Sequence, residues 1–286
     1  MVDTALVAVI FPSNIPFLKD FLFSVASQSE KSFDLILIND GVASLTDVLG
    51  EQKYLVKEVL NIDGNPFEIR VKAINEIAKK GYKKLIFSDT DDVLSHNRVE
   101  VLTNELDVFP IVCNDLDITD VEGNLLEKGY WRSRLGSRHV FDQTFLLDKN
   151  IVGFGNTGIR LDNELPKLDN HPNLVAPDWF FFFRFLDEGR EALFSSSCSI
   201  GYRQHESNII GLKAVNEDRL IKTINCKIQH YSELVKVGYK LNKELESLHF
   251  LRKDLVKETK RVQEVLEELK EKKLNYFWWE ETNNII

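Results

Sequence analysis

The chain has little of what would make it a disulfide scaffold, a zinc module or a membrane span. It carries only three cysteines in 286 residues, Cys113, Cys198 and Cys226. They lie far apart with no CxxC or Cys/His spacing, which argues against a disulfide framework or zinc site and for a reducing compartment. No stretch approaches the ~20 apolar residues that a membrane span needs. The apolar run at 5–11 is too short for a signal h-region and has no basic residues before it, so the expected location is the cytoplasm. Positive charge is also short, with 36 Lys+Arg against 45 Asp+Glu and a formal net charge of −9. An acidic body argues against nucleic acid as a partner. Internal repeats and low-complexity segments are missing too.

What is present is core-forming. A hydrophobic fraction of 43% with 19 Phe suffices for one large α/β domain with an appendage. The acidic excess lies before residue 212, and the tail is mildly basic. Strand-like and helix-like segments alternate over the first part of the chain. Residues 6–11 are a continuous apolar run and 33–38 a second buried-strand run, closed by Pro12-Ser13-Asn14 and by Asn39-Asp40-Gly41. Residues 15–28 and 66–80 show helical spacing, and Gly81 suits a helix end. Uninterrupted apolar strands separated by helices predict a mostly parallel sheet covered on both faces. Asp120-Val121-Glu122-Gly123-Asn124 reads as a hairpin turn, and helical character resumes at 178–186. Beyond Gly211 the chain is helical and charge-laced. Leu248, Leu251, Leu255, Val262, Leu266 and Leu269 keep a three-four spacing, as in a helical hairpin or short coiled coil.

The run Leu85-Ile86-Phe87-Ser88-Asp89-Thr90-Asp91-Asp92 stands out. A buried-strand pattern ends in three carboxylates within four residues. Like charges packed so closely need compensation, and oxygen ligands suit Mg²⁺ or Mn²⁺. The same pattern also fits a solvated turn or, as DxDx(T/V), the nucleophile strand of haloacid-dehalogenase-type phosphatases. That second resemblance places the motif on the first strand, whereas here at least two strand–helix units precede it. A nucleotidyltransferase needs a glycine-rich first loop, and Pro12-Ser13-Asn14 has none.

Five motifs then occur in order: Phe11-Pro12-Ser13-Asn14, Ile38-Asn39-Asp40-Gly41, Phe87-Ser88-Asp89-Thr90-Asp91-Asp92, Pro177-Asp178-Trp179 and Tyr202-Arg203-Gln204-His205. Together they resemble the family 2 glycosyltransferases with the GT-A fold, over roughly residues 4–212. The resemblance implies a Rossmann-like, mostly parallel mixed sheet flanked by helices. Its nucleotide-binding half would span about 1–110 and its acceptor half about 111–212, with a helical extension over 213–286. It implies an inverting, metal-dependent transfer from a nucleotide-diphosphate sugar, with a UDP-sugar favoured, to a glycan, lipid-linked or protein acceptor in bacterial surface glycan synthesis. Phe11, Pro12 and Ser13 would line the nucleotide pocket and Asp40 would read the base. Asp91 would be the chief metal ligand, with Asp89 or Asp92 on ribose, sugar or metal-bound water. His205 would approach the metal or pyrophosphate from the far side, and Asp178 would be the general base. Asn75 lies where the family often carries an Arg-Asn pair, although Ile74 precedes it here. Asn39 and Pro177 also replace acidic residues common in the family.

Taken alone, Asp178 also reads as a helix N-cap and His205 as a satisfied imidazole. A non-catalytic sugar-nucleotide or glycan-binding module is the alternative of a different class. Trp131, Arg132 and Arg134 read as a solvated loop within reach of an acceptor. For the tail, the expectations are packing on the catalytic domain or a homodimer seam. Its terminal Tyr276-Phe277-Trp278-Trp279 either closes that packing or touches the inner face of a membrane.

Overall fold

The computed structural model describes residues 2–161, 165, 171, 174–205, 216–257, 259–271 and 277–283. The expected boundary at 212 and residue Tyr276 lie outside them. Strand β1 (Thr4–Ile10) is buried along its whole length, as a continuous apolar strand must be when both faces are covered. Its alternate residues serve two cores. Leu6, Ala8 and Ile10 face the layer that contains Phe21, Leu22, Val99 and Leu102. Ala5, Val7 and Val9 face the other, with Phe67, Ile74 and the phenylalanines at 180–183.

The first half follows in strand–helix units: α1 (Leu18–Ala26), β2 (Asp34–Asn39), α2 (Leu45–Leu49), β3 (Val56–Asn61), α3 (Pro66–Ala78) and β4 (Lys84–Asp89). The start of α3 is written locally. The Asn65 side chain accepts from the amides of Phe67 and Glu68, Glu68 accepts from the Asn65 amide at 3.0 Å, and Pro66 opens the helix. The helix ends at Ala78, short of the expected 80, and Gly81 follows at φ +86°.

The second half adds β5 (Val93–Leu94), α4 (Arg98–Glu105), β6 (Ile111–Thr119), β7 (Leu125–Glu127), α5 (Arg132–Leu135), β8 (Arg138–Phe141), β9 (Thr157–Arg160), α6 (Pro177–Phe185) and β10 (Ala192–Arg203). All ten strands form one sheet of order β3-β2-β1-β4-β9-β6-β10-β5, with β7 on β6 and β8 on β10. Strands β1 to β4 all pair in parallel, with β3 at the edge beside β2, and β9 runs antiparallel between β4 and β6. The expected hairpin is present, with Asp120 and Asn124 closing the β6–β7 turn and Gly123 at φ +88°. The acidic motif therefore ends the fourth strand, which removes the phosphatase arrangement.

The tail forms three helices, α7 (Glu217–Lys236), α8 (Asn242–Lys257) and α9 (Thr259–Glu271). The leucine-rich stripe at 248, 251, 255, 262, 266 and 269 is buried within the chain, and α7 contributes Leu220, Ile224 and Leu234 to the same core as Val7 and Phe87. Of the arrangements expected for the tail, packing within the chain is the one that accounts for this burial. Phe277, Trp278 and Trp279 are likewise buried against the body. No helix among the described residues is long and apolar enough to cross a membrane.

Candidate active site

Strand order reverses between β1 and β4, and open α/β sheets bind ligands at the carboxyl ends of the strands flanking such a switch point. Register sets the geometry there, with Val9 beside Asp89 and Ile10 beside Asn39. Phe11, Pro12 and Asp40 leave the sheet together, and the Asp40 amide donates to the Ile10 carbonyl at 3.0 Å. Gly41 (φ +90°) turns so that Pro12 lies in van der Waals contact with the position of its missing side chain. Pro12 and Ser13 are exposed, and Phe11 is half-buried. Asn39 explains its own substitution for an acid. Its side chain bonds the amide and carbonyl of Val42 and the Asn61 side chain, tying the ends of β2 and β3.

The acidic turn is held from several directions. Thr90 is fully buried and donates to the Val9 carbonyl at 3.0 Å. The Arg203 amide donates to Asp92 Oδ1 at 3.0 Å, its Nε to the Asp91 carbonyl at 2.9 Å, and its Nη2 to Asp20. His205 Nε2 lies 2.8 Å from Asp91 Oδ2, and its ring stacks on Phe17 at 5.0 Å. Two carboxylate oxygens, Asp91 Oδ1 and Asp92 Oδ2, are buried with no hydrogen-bond partner among the described residues. Burial, then the neighbouring Asp91, pushes Asp89 up to about 6. Asp92 is driven well above the usual carboxylate range by burial and by Asp91 and Asp89. Orphaned hard oxygens and mutual repulsion are what a divalent cation relieves. No three His, Cys, Asp or Glu side chains among the described residues converge into a ready-made cage. The residues fit a cation whose remaining ligands come from elsewhere.

The third wall is the loop after Asn150. A Cβ on Gly155 would lie 2.8 Å from Asp89 Oδ2 and 3.6 Å from Asp92 Oδ2, while one on Gly153 would lie 3.5 Å from Asp178 Oδ2. The loop thus sets Asp178 on one side and the strand-end carboxylates on the other. Asp178 sits in the first turn of α6, and its Oδ1 accepts the Trp179 amide at 2.8 Å. The helix starts after Ala176, so Asp178 is not the N-cap. Burial raises its carboxyl to about 6, against the opposing pull of the Trp179 amide and Arg70.

Sequence reading missed two cations. Arg70 on α3 lines the cleft with Val9, Ile38, Phe87 and Asp89, and its charge acts on Asp40, Asp89 and Asp178 alike. Its position in an Ile-Arg-Val stretch of an amphipathic helix carries no motif. Arg98, fully buried, donates to Asn114 at 2.8 Å and to the carbonyls of Phe87 and Gly155 at 2.7 and 3.0 Å. It thereby joins β4, β6 and the glycine loop beneath the acidic turn. Asn75, in contrast, is on the exposed side of α3 and is not among the cleft-lining residues.

The architecture is that of the GT-A glycosyltransferases. Among solved structures, the chain is similar to S. aureus TarS 1-349 in complex with UDP-GlcNAc, with a TM-score of 0.55 and 12% identity over 80% of this chain and 66% of that one. It is also similar to S. aureus TarS (0.56, 12%, 87% and 43%) and to GalNAc-T7 with UDP, GalNAc and Mn²⁺ (0.52, 12%, 80% and 47%). The chain spans 66% of the first and less than half of the other two, and likeness at such identity concerns the fold. No protein-family model and no curated protein matches the sequence.

Proposed function

We propose that the chain is a metal-dependent, inverting glycosyltransferase that moves a sugar from a nucleotide-diphosphate donor, UDP-sugars foremost, to a hydroxyl of a glycan, lipid-linked or protein acceptor. The observation that carries this reading is the meeting of Asp89 and Asp178 across the 153–155 loop, with Arg70 acting on both. Its catalytic body is residues 1–212, with 213–286 as an appended helical part. The three cysteines are free and buried, in keeping with a cytoplasmic site of action. The Mn²⁺-bearing and UDP-bearing neighbours support the same reading.

The roles follow from placement. Phe11, Pro12 and Ser13 flank the nucleoside and Asp40 accepts from its base, while Arg70 opposes the upward push of burial on this carboxyl. Asp91, Asp92 and His205 would hold the cation, and Asp89 would face the ribose or sugar. Sites with only one or two carboxylates are completed by substrate phosphates and water, as Mg²⁺ and Mn²⁺ sites commonly are. The bound cation supplies Lewis-acid neutralisation of the departing diphosphate. Asp178 takes the proton of the acceptor hydroxyl. The acceptor oxygen then forms its bond to the anomeric carbon as the bond to the diphosphate oxygen breaks, with that electron pair leaving on the nucleotide. One base opposite the leaving group gives a single displacement with inversion.

A thermal-shift screen of UDP-, GDP- and dTDP-sugars with Mn²⁺, followed by a donor-hydrolysis assay, tests the reading. A donor that stabilises and is slowly hydrolysed is the expected result. Absence of any stabilisation overturns it, and binding without turnover indicates a non-catalytic module. Asp91→Ala should lose cation-dependent binding. Asp178→Asn should bind donor and fail to transfer, and full turnover in that variant would remove the base assignment.

A further inference from the structure

The last described segment returns to the base. Trp278 bridges Asn150 in antiparallel fashion, the Asn150 amide donating to the Trp278 carbonyl at 2.9 Å. Its indole, 6% exposed, packs against Trp131 at 5.6 Å and Tyr202 at 5.8 Å. A Cβ on Gly153 would lie 3.6 Å from Trp278 Cζ3 and 3.5 Å from Asp178 Oδ2. The indole edge and the carboxylate therefore share the space left by one missing side chain. The segment is clasped to the body on both sides of that point. Arg134 grips Glu280 with two bonds of 2.6 and 3.1 Å and covers the Phe277 ring at 3.8 Å. Arg219 pairs with Glu281 at 2.7 Å, and the Asn283 amide donates to Asp148 at 2.6 Å.

We propose that Trp278 is a positioning residue for Asp178, and that the clasped tail keeps bulk water from the carboxylate so that an acceptor hydroxyl meets it instead. The inference rests on Asp178 being the base. An apolar edge lining the same small space as a carboxylate leaves less room for water there and confines the carboxylate's rotamer. Burial is the largest influence on Asp178. The other titratable groups that interact with it are Arg70 on α3, Asp89 on β4, Tyr202 on β10 and Cys226 on α7. None of them belongs to the 277–283 segment, so uncovering the carboxylate changes its hydration rather than its charged neighbours.

The test is a carboxyl ¹³C NMR titration of the full chain, with the Asp178 resonance assigned by Asp178→Asn. UDP release from UDP-GlcNAc with Mn²⁺ is measured in parallel. Trp278→Ala should lower the Asp178 midpoint by about one pH unit and raise the ratio of hydrolysis to transfer, and Trp278→Phe should largely restore both. An unmoved midpoint in folded Trp278→Ala overturns the proposal. Should that variant not fold, Glu280→Gln, which weakens the clasp on Arg134 and loosens the segment while keeping every aromatic side chain, must show the same downward direction, and no shift there is equally fatal. A shifted midpoint in a chain that turns over no donor would defeat the enzymatic reading and spare the placement. Normal turnover with an unmoved midpoint would defeat the placement alone.

Discussion

Gly155 and Asp89 compete for one volume: a side-chain carbon at 155 would stand 2.8 Å from Asp89 Oδ2, closer than such contacts occur. The glycine is there for clearance. Gly155→Ala should therefore displace the Asp89 carboxylate and weaken UDP binding in Mn²⁺ about tenfold, with the thermal transition nearly unchanged. Calorimetric titration checks this, and unaltered affinity would show that Asp89 does not touch the donor.

The pH dependence has a definite sign. Asp178 holds its proton up to about 6 in the folded chain, above its ordinary value of about 3.9. The native state binds the extra proton between those values, so this group's contribution to stability falls as pH rises through that window and stays low above it. Base activity runs the other way, and donor turnover should climb through pH 6 to a plateau. Asp178→Asn should abolish turnover, flatten that part of the stability profile and stabilise the protein at pH 8 by on the order of 1 kcal/mol. Denaturant melts at pH 5 and 8 decide it.

Arg98 is a structural prediction. It is fully buried, beside Asp89 and Asp92, with bonds to three separate segments. Removing one partner of such a buried charge cluster typically costs about 3–5 kcal/mol. Arg98→Met should lose stability of that order in urea unfolding, and a loss below about 1 kcal/mol would show that the cluster is largely neutral.

Cation dependence is separable from folding. Chelation with EDTA should remove the thermal stabilisation by UDP, and Mn²⁺ should restore it. His205→Ala, which frees the Asp91 carboxylate from its 2.8 Å partner, should raise the Mn²⁺ concentration needed for half of that effect about tenfold, with the melting point of the ligand-free protein little changed. An unshifted Mn²⁺ requirement would take His205 out of the cation site.

Legibility in the sequence followed burial on both faces. Strands β1, β2 and β4 are continuous apolar runs because helices cover each side, and they stand where the pattern put them. Strand β10 carries three consecutive serines, a glycine and an arginine. Its polar side chains are satisfied by partners remote in sequence, such as Ser199 on Asp117 and Arg203 on Asp20, so local pattern could not reveal it. Strand β3 is paired only with β2 and is half-exposed, which dilutes its signal. The exposed face on which Asn75 lies was not legible either, because motif position on a helix does not specify which face turns inward.

The sequence by itself determined the parallel half of the sheet, the capped start of α3 and a strand ending in carboxylates, because each depends on neighbours within a few residues or on a simple period. Only the tertiary structure decided which charges meet. Asp178, Arg70 and the strand-end aspartates converge through strand order and through two glycines whose lack of a side chain lets the walls close. Trp278 reaches the same point from the far end of the chain, held there by ion pairs that no local pattern encodes. Proximity between distant residues is a property of packing, and the chemistry of this cleft is made of such proximities.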